Sequence, residues 1–387
     1  MSALFHPYLC GRKAAEWLIN MDNYIDKIKG HIRDFIEQYD TEYNGPIVYY
    51  LKNVIHDTLE YLDSQMALYP NFKLLYSVKP NMNPEIMSLL AQHLSGFDAA
   101  SNAELKTILD YSSSCHFVSA SGYAFSREDL LKAIAAGINV DFMSVRQIES
   151  IVDSIENVNI GIRIKVPCSN YEKVMRKSSR FGLNYATDFS AVSKLCAEKN
   201  LVISGIHLHG GLKTLESIVK ECDEIEKWTK KIETLSYINL GGGWDILAEK
   251  GKVEEAFSYI TARFPNLQFY IEPGSLLVRN SGVLVAKVID VHHGFDQFEY
   301  AVLDVSAFNL SSWYKPKLIA LSSHHMGNPN SNVLLVGNTC YEDDVFGLVG
   351  NKVIQHGDAV FLYPAGAYFN TTSRHLHGLP FPTEKLI

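Results

Sequence analysis

From residue 73 onward the chain alternates short apolar or β-branched runs with longer amphipathic stretches. The runs are KLLYSVK (73–79), GFDAA (96–100), HFVSA (116–120), INVDFM (138–143), NIGIRIKV (159–166), LVISGIHLH (201–209), YINLG (237–241) and QFYIE (268–272). Runs this short, bounded by turn residues, predict strands, and the stretches between them carry helix-start signals. Asn83 caps a helix that has Pro84 at its first position, Ser101 with Glu104 makes a capping box, and Ser126 opens a segment with acids in its first turn that stops at Gly137. Eight strand–helix units within about 200 residues predict a parallel sheet closed into a (β/α)8 barrel. The rival, an open doubly wound sheet, would carry G-x-G-x-x-G after its first strand, and that motif is absent there.

The texture differs on both sides of this region. Residues 1–45 read as a polar helical segment, broken by Gly45-Pro46 before a short strand in IVYYL. Beyond residue 273, GVLVAKVIDVHH, FEYAVLDV, NVLLVGN and DAVFLYP are strand-like and separated by Gly, Asn and Asp turns. The expected organisation is a helical segment (1–45) packing on the C-terminal domain, a barrel (46–273), and a β-rich domain (274–387).

Composition narrows the function. The chain has 387 residues, 47% apolar and 20% charged, enough for a large core and too apolar for disorder. A formal net charge of −8 argues against a general nucleic-acid binder, which needs a basic face. Cys10, Cys115, Cys168, Cys196, Cys222 and Cys340 form no CxxC pair and no Cys/His spacing that would hold zinc, so no metal site is expected. Scattered thiols fit a reducing cytoplasm. The N-terminus lacks a leader pattern, and no stretch approaches the roughly 20 apolar residues of a membrane span.

Barrels of this kind place their chemistry at the C-terminal ends of strands. Those ends here carry Lys79, Asp98, the Ser-Ala-Ser of 119–121, Ser144, Arg163, His209, Gly241, Gly242, Gly243 and Glu272. A lysine in a barrel mouth is costly unless it is paired or used covalently. Three successive glycines let backbone N–H groups approach an oxyanion, and a position after the seventh strand suits phosphate. His207 and His209 lie two residues apart, on one face of a strand.

YSVKPN, GFDAASNAEL, GIHLHGG, NLGGGW, EPGS, GNTC with a following Asp, and PAGAY occur in this order over roughly residues 46–380. The ordered set resembles the fold-type III pyridoxal-5′-phosphate (PLP) decarboxylases, the group of ornithine, arginine and diaminopimelate decarboxylases that shares the alanine racemase architecture. The resemblance implies a PLP-dependent carboxy-lyase. In it Lys79 holds the cofactor as a Schiff base, Glu272 meets the ring nitrogen, and the second histidine, His209, covers the ring face. Gly241, Gly242, Gly243, Gly274, Ser275 and Tyr368 would cradle the phosphate, with Asp98 and Arg163 completing the cofactor site. Cys340 would come from the partner subunit to protonate Cα, which makes the enzyme a homodimer with shared sites, and Asp344 would face the distal end of the substrate.

Several positions depart from the family pattern. Ser275 stands where an arginine normally contacts phosphate; Arg279 follows on what reads as a strand, and Leu212 replaces a serine. Tyr341 replaces the glutamate that follows the cysteine in diaminopimelate decarboxylases. The Cys-x-x-x-Asp-Val-Phe pattern and the AGAY ending look more like the branch acting on conjugated intermediates, such as citrate-linked siderophore precursors or carboxynorspermidine. With Tyr341, the tail residues Arg374 and His377, and His375 between them, are candidates to read an anionic substrate. The alternatives are a diaminopimelate or basic amino-acid decarboxylase and, in another reaction class, an amino-acid racemase. Racemases of this fold commonly place an arginine at the ring nitrogen, against which Glu272 argues. A non-catalytic PLP-binding protein is commonly a single barrel without the second domain.

Overall fold

In a computed structural model, residues 11–387 are described except 41, 112–115, 168–178, 296–297, 311–312, 323–331 and 351; within 11–23 only the backbone is. Cys10, Cys115 and Cys168 lie outside the described residues.

The eight runs form a closed barrel of parallel strands: Phe72–Ser77, Gly96–Ala99, Phe117–Ala120, Asn139–Phe142, Asn159–Arg163, Val202–His207, Tyr237–Asn239 and Gln268–Ile271. The last pairs with the first, Leu74 opposite Ile271, which closes the ring. One alternation of side chains faces the surrounding helices. Tyr76, Phe97, Val140, Phe142, Ile160, Ile162, Ile206, Ile238, Phe269 and Ile271 are buried there in the main core. The helix starts form as the sequence predicts. The Asn83 side chain accepts from the N–H groups of Glu85 and Ile86, and Ser126 with Asp129 makes a reciprocal capping box. Ser101 accepts from the Glu104 N–H, but the Glu104 carboxylate reaches past the cap to Ala100 N–H at 2.7 Å.

The second domain is an eight-stranded sheet. Its path runs Lys317–Leu321, Ala359–Tyr363, Gly282–His293, Phe298–Leu303, Asn332–Val336, Val345–Gly350. Ile47–Tyr50 joins it, antiparallel to Gly282–His293 and parallel to Thr383–Leu386. This strand lies inside the segment assigned to the barrel from sequence, yet it hydrogen-bonds only to the second sheet among the described strands. The helix Gly11–Glu37 packs against Lys52–Met66, and at its end Phe35 and Tyr39 meet Tyr49 and Phe361 of the sheet. The chain thus crosses the second domain before it enters the barrel. Among the described residues no helix is long and apolar enough to cross a membrane, and no group of three His, Cys, Asp or Glu is placed to hold a metal ion.

Candidate active site

The other alternation of each strand points into the barrel, and it changes character from bottom to top. Leu75, Phe117, Tyr237 and Tyr270 form an apolar floor, with Phe117 stacked on Tyr270 at 3.9 Å between ring centroids. Two residues further along each strand, the inward positions become polar: Ser77, Asp98, Ser119, Asp141, Arg163, His207, Asn239 and Glu272, all at most 9% exposed. They bond across strands. Ser77 donates to Asp98 at 3.2 Å, Ser119 to Asp141 at 2.8 Å, and Asn239 to Glu272 at 2.5 Å. Two residues further again come Lys79, Ser121, His209 and Gly241, at the mouth. The period of two that makes a strand therefore builds a floor and a charged layer from the same eight segments, and the turns after the strands carry the rim.

Electrostatics tie the rim to this layer. Burial raises the Asp98 carboxyl well above its ordinary range, Glu272 adds to this, and Lys79 and Arg163 oppose it. The His209 imidazole is pushed well below its ordinary value, first by burial and then by the cations Lys79 and Arg163, so it is neutral near pH 7. Burial also lowers the Arg163 guanidinium, against the pull of Glu272 and Asp98. Arg163 donates to Ser121 at 3.2 Å.

The glycine turn fits beside this rim. Gly241 has φ +66°, and a Cβ there would lie 2.5 Å from Leu208 O and 2.9 Å from His209 Cβ. A Cβ on Gly243 would lie 2.1 Å from Gly211 O. The loops 209–213 and 241–243 therefore interlock, and Lys213 N–H donates to Gly243 O at 2.7 Å. Gly274 is closed in the same way, since its Cβ would meet Ser77 O and Pro80, and Tyr368 N–H donates to Pro80 O at 2.7 Å. Gly274 and Tyr368 thus flank the turn that follows Lys79.

Three features escaped the sequence reading. Asn239 donates to Glu272 and also accepts from Gly241 N–H at 3.0 Å, so it links the carboxylate to the glycine turn. Lys213 is fully buried and paired with Glu221 at 2.6 Å beneath that turn. Arg279 lies on a helical turn, not on a strand: Gly274–Val278 is helical and Arg279–Ser281 continues as a 3-10 turn. That puts Arg279 one turn beyond Ser275. Both act on Asp245, whose carboxyl is raised by burial and drawn back by Arg279 and by a hydrogen bond with Ser275. Leu212 is 43% exposed.

A second set of predicted residues gathers on the loop after Asn332–Val336. Cys340 is exposed, and its N–H donates to His377 Nε2 at 3.1 Å. The Arg374 guanidinium lies 4.4 Å from the centre of the Phe308 ring, which is 4.7 Å from that of Tyr341. A cleft of about 430 Å³ runs between Phe308, Trp313, Asp343, Phe369 and Arg374. His375 is turned to Leu379 O at 3.3 Å. One expected role is corrected here. Asp344 does not face this cleft: it is 2% exposed and accepts from Phe308 N–H, Thr339 N–H and the Thr339 hydroxyl at 2.8, 3.1 and 2.5 Å. Its carboxylate is held by Phe308 and Thr339, and the exposed acid is the preceding Asp343.

The mouth suits an aromatic ligand that bears a phosphate. It offers a half-buried amine at Lys79 and a glycine cradle closed to side chains. Among the described residues nothing hydrogen-bonds the buried Asp98 Oδ1 or His209 Nδ1. Buried polar atoms of this kind are ordinarily partnered.

Comparison with known proteins agrees with this geometry. Residues 55–279 match the pyridoxal binding domain of the pyridoxal-dependent decarboxylases. The match spans more than half of the chain, and the chain belongs to that family. Diaminopimelate decarboxylase of Bacteroides thetaiotaomicron is 24% identical over 353 residues, 84% of this chain and 90% of its own length. A Staphylococcus aureus 2-[(L-alanin-3-ylcarbamoyl)methyl]-2-hydroxybutanedioate decarboxylase is 24% identical over 390 residues, 89% of this chain and 94% of its own length. The crystal structure of the Paramecium bursaria Chlorella virus arginine decarboxylase superposes with a TM-score of 0.77 at 19% identity, covering 92% of this chain and 98% of that one. The protein is accordingly a PLP-dependent carboxy-lyase that acts on an amino-acid substrate.

Proposed function

We propose that this enzyme removes the α-carboxylate of an amino acid whose far end carries a second anionic group, with the cofactor held at Lys79. The observation that carries this reading is the convergence of Arg374, His377 and Tyr341 on the Cys340 loop. A guanidinium on an aromatic shelf, with a histidine beside it, is suited to a distal carboxylate or citrate-like group. The Staphylococcus aureus relative, whose substrate name describes a citrate-type acid joined to an amino acid, is in keeping with it.

The residues divide the work as follows. Lys79 would hold the cofactor covalently. Gly241, Gly242, Gly243, Gly274, Ser275 and Tyr368 would hold its phosphate, with Arg279 supplying the charge that Ser275 lacks. Glu272 would face the ring nitrogen and neutral His209 the ring plane. PLP, when bound, supplies an electron sink for the pair left on Cα as carbon dioxide departs. Cys340 would give the proton from its Sγ to Cα. Its exposure on a single chain supports a homodimer in which it reaches the partner's barrel, and the free thiols of Cys196, Cys222 and Cys340 are in keeping with a cytoplasmic setting.

One observation favours a second reading. Asp343 lines the same cleft and would suit a distal ammonium, as in a basic amino acid or diaminopimelate. Measuring carbon dioxide release from citrate-linked diamino acids, diaminopimelate, lysine, ornithine and arginine decides between them. On the first reading only the anionic conjugates turn over well, and Arg374→Ala raises KM by about tenfold, the effect of one lost charge-assisted contact. Preferential turnover of lysine or ornithine overturns it. Cys340→Ala should keep the yellow cofactor while turnover falls by about 10²-fold or yields misprotonated product; unchanged kinetics would remove the cysteine from the proton-transfer step.

A further inference from the structure

The charged layer of the barrel contains a histidine that this chemistry leaves unused. His207 ends the strand Val202–His207 and is 2% exposed. Its Nδ1 lies 3.4 Å from Asp141 Oδ2 and its Nε2 3.7 Å from Glu272 Oε2. Both carboxylates are also held from elsewhere. Asp141 accepts from Ser119 at 2.8 Å and from the Tyr237 hydroxyl at 3.3 Å, while Glu272 accepts from Asn239 at 2.5 Å. Space for the string comes from two glycines. A Cβ on Gly161 would lie 1.9 Å from Asp141 Oδ1, and one on Gly205 would lie 1.9 Å from the Tyr237 ring.

A buried carboxylate is costly while its lone pairs are unmet. The His207 ring stands between the two acids within ion-pair distance of each, and among the described residues neither of its nitrogens makes a hydrogen bond. Asp98, Asp141 and Glu272 are three carboxylates, with Lys79 and Arg163 among the cations around them. His209 at the rim is neutral near pH 7, and Tyr237 below keeps its proton because burial raises its phenol well above the ordinary value. Burial, and then Glu272, displaces the Asp98 carboxyl upward.

We propose that His207 is a positioning residue that stands between Asp141 and Glu272 and so keeps the Glu272 carboxylate oriented. The proposal rests on Glu272 being the partner of the ring nitrogen. The test uses the full-length enzyme and its His207→Gln, Asp141→Asn and Glu272→Gln variants. PLP affinity is measured by absorbance titration, beside kcat and KM.

For His207→Gln PLP affinity should fall by about tenfold, the scale of one lost contact. On the same account kcat falls by about ten- to a hundredfold while KM stays within about twofold, since a misplaced group costs rate more than binding. Asp141→Asn should change PLP affinity and kcat in the same direction, and it carries the test if the histidine variant does not fold. A lower melting temperature with PLP affinity and kcat unmoved would mean a purely structural histidine and overturns the proposal. If Glu272→Gln itself leaves kcat and PLP affinity unchanged, the assignment of Glu272 fails and the proposal fails with it. A slow Glu272→Gln beside a His207→Gln of wild-type behaviour overturns the proposal alone.

Discussion

Lys79→Ala is expected to give a folded, colourless protein whose decarboxylation falls by at least about 10³-fold, the scale of losing a covalent anchor and its positioning. Lys79 lies two residues beyond Ser77, the last residue of the first strand, and it is half-buried at the rim. Its charge is felt by Asp98 and by His209, which sets it among the rim residues. Truncation there removes no core packing, so stability should change by about 1 kcal/mol or less. The rival amine is Lys213, under the glycine turn. It is fully buried and clamped by Glu221 at 2.6 Å, and freeing it would strand a buried carboxylate whose pKa burial already raises. Borohydride reduction of the wild-type enzyme, followed by peptide mass mapping, should find the cofactor on the peptide containing Lys79. A cofactor fixed on Lys213, or a Lys79→Ala protein that stays yellow and active, would sink the assignment.

The barrel was legible because its signal is local. Each strand is a short run that alternates two faces, and each helix begins at a cap that the sequence shows outright. Ser126 and Asn83 do what their positions predict. The same alternation carried most of the mouth, since Lys79, His209 and Glu272 stand at run ends. What stayed hidden depends on partners far apart in the chain. Ile47–Tyr50 reads as a short strand within the barrel segment until it is seen paired with Gly282–His293 and Thr383–Leu386. Asn239 is one more polar residue in YINLG until its amide is seen joining Glu272 to Gly241. The Asp343-Asp344 pair gives two adjacent carboxylates, and spacing alone does not say which one turns inward; the donors on Phe308 and Thr339 decide it for Asp344. Arg279 was misplaced because SLLVRN is apolar enough to read as a strand, whereas the chain turns helical at Gly274.

Glu272→Gln is expected to retain the cofactor and to lower kcat by about 10²- to 10³-fold, equivalent to ~3–4 kcal/mol of lost transition-state stabilisation. Glutamine keeps the volume of a side chain that is 4% exposed and seated against Asn239. On the proposed assignment it removes only the charge that would hold a proton on the ring nitrogen, on which the electron sink would depend. The cost should therefore fall on the chemical step, with KM little changed. Stability should respond in the opposite sense. Burying an ionised carboxylate is unfavourable, and Glu272 also helps to hold the Asp98 carboxyl above its ordinary range. Neutralising Glu272 lets Asp98 fall back toward that range, so the melting temperature of the cofactor-free variant should equal or exceed that of the wild type. Loss of rate without loss of fold separates a carboxylate kept for chemistry from one kept for structure. A Glu272→Gln enzyme within about threefold of wild-type kcat would mean that the ring nitrogen is met by another group. Arg163, already drawn toward Glu272 in the same layer, is the residue to which that alternative points.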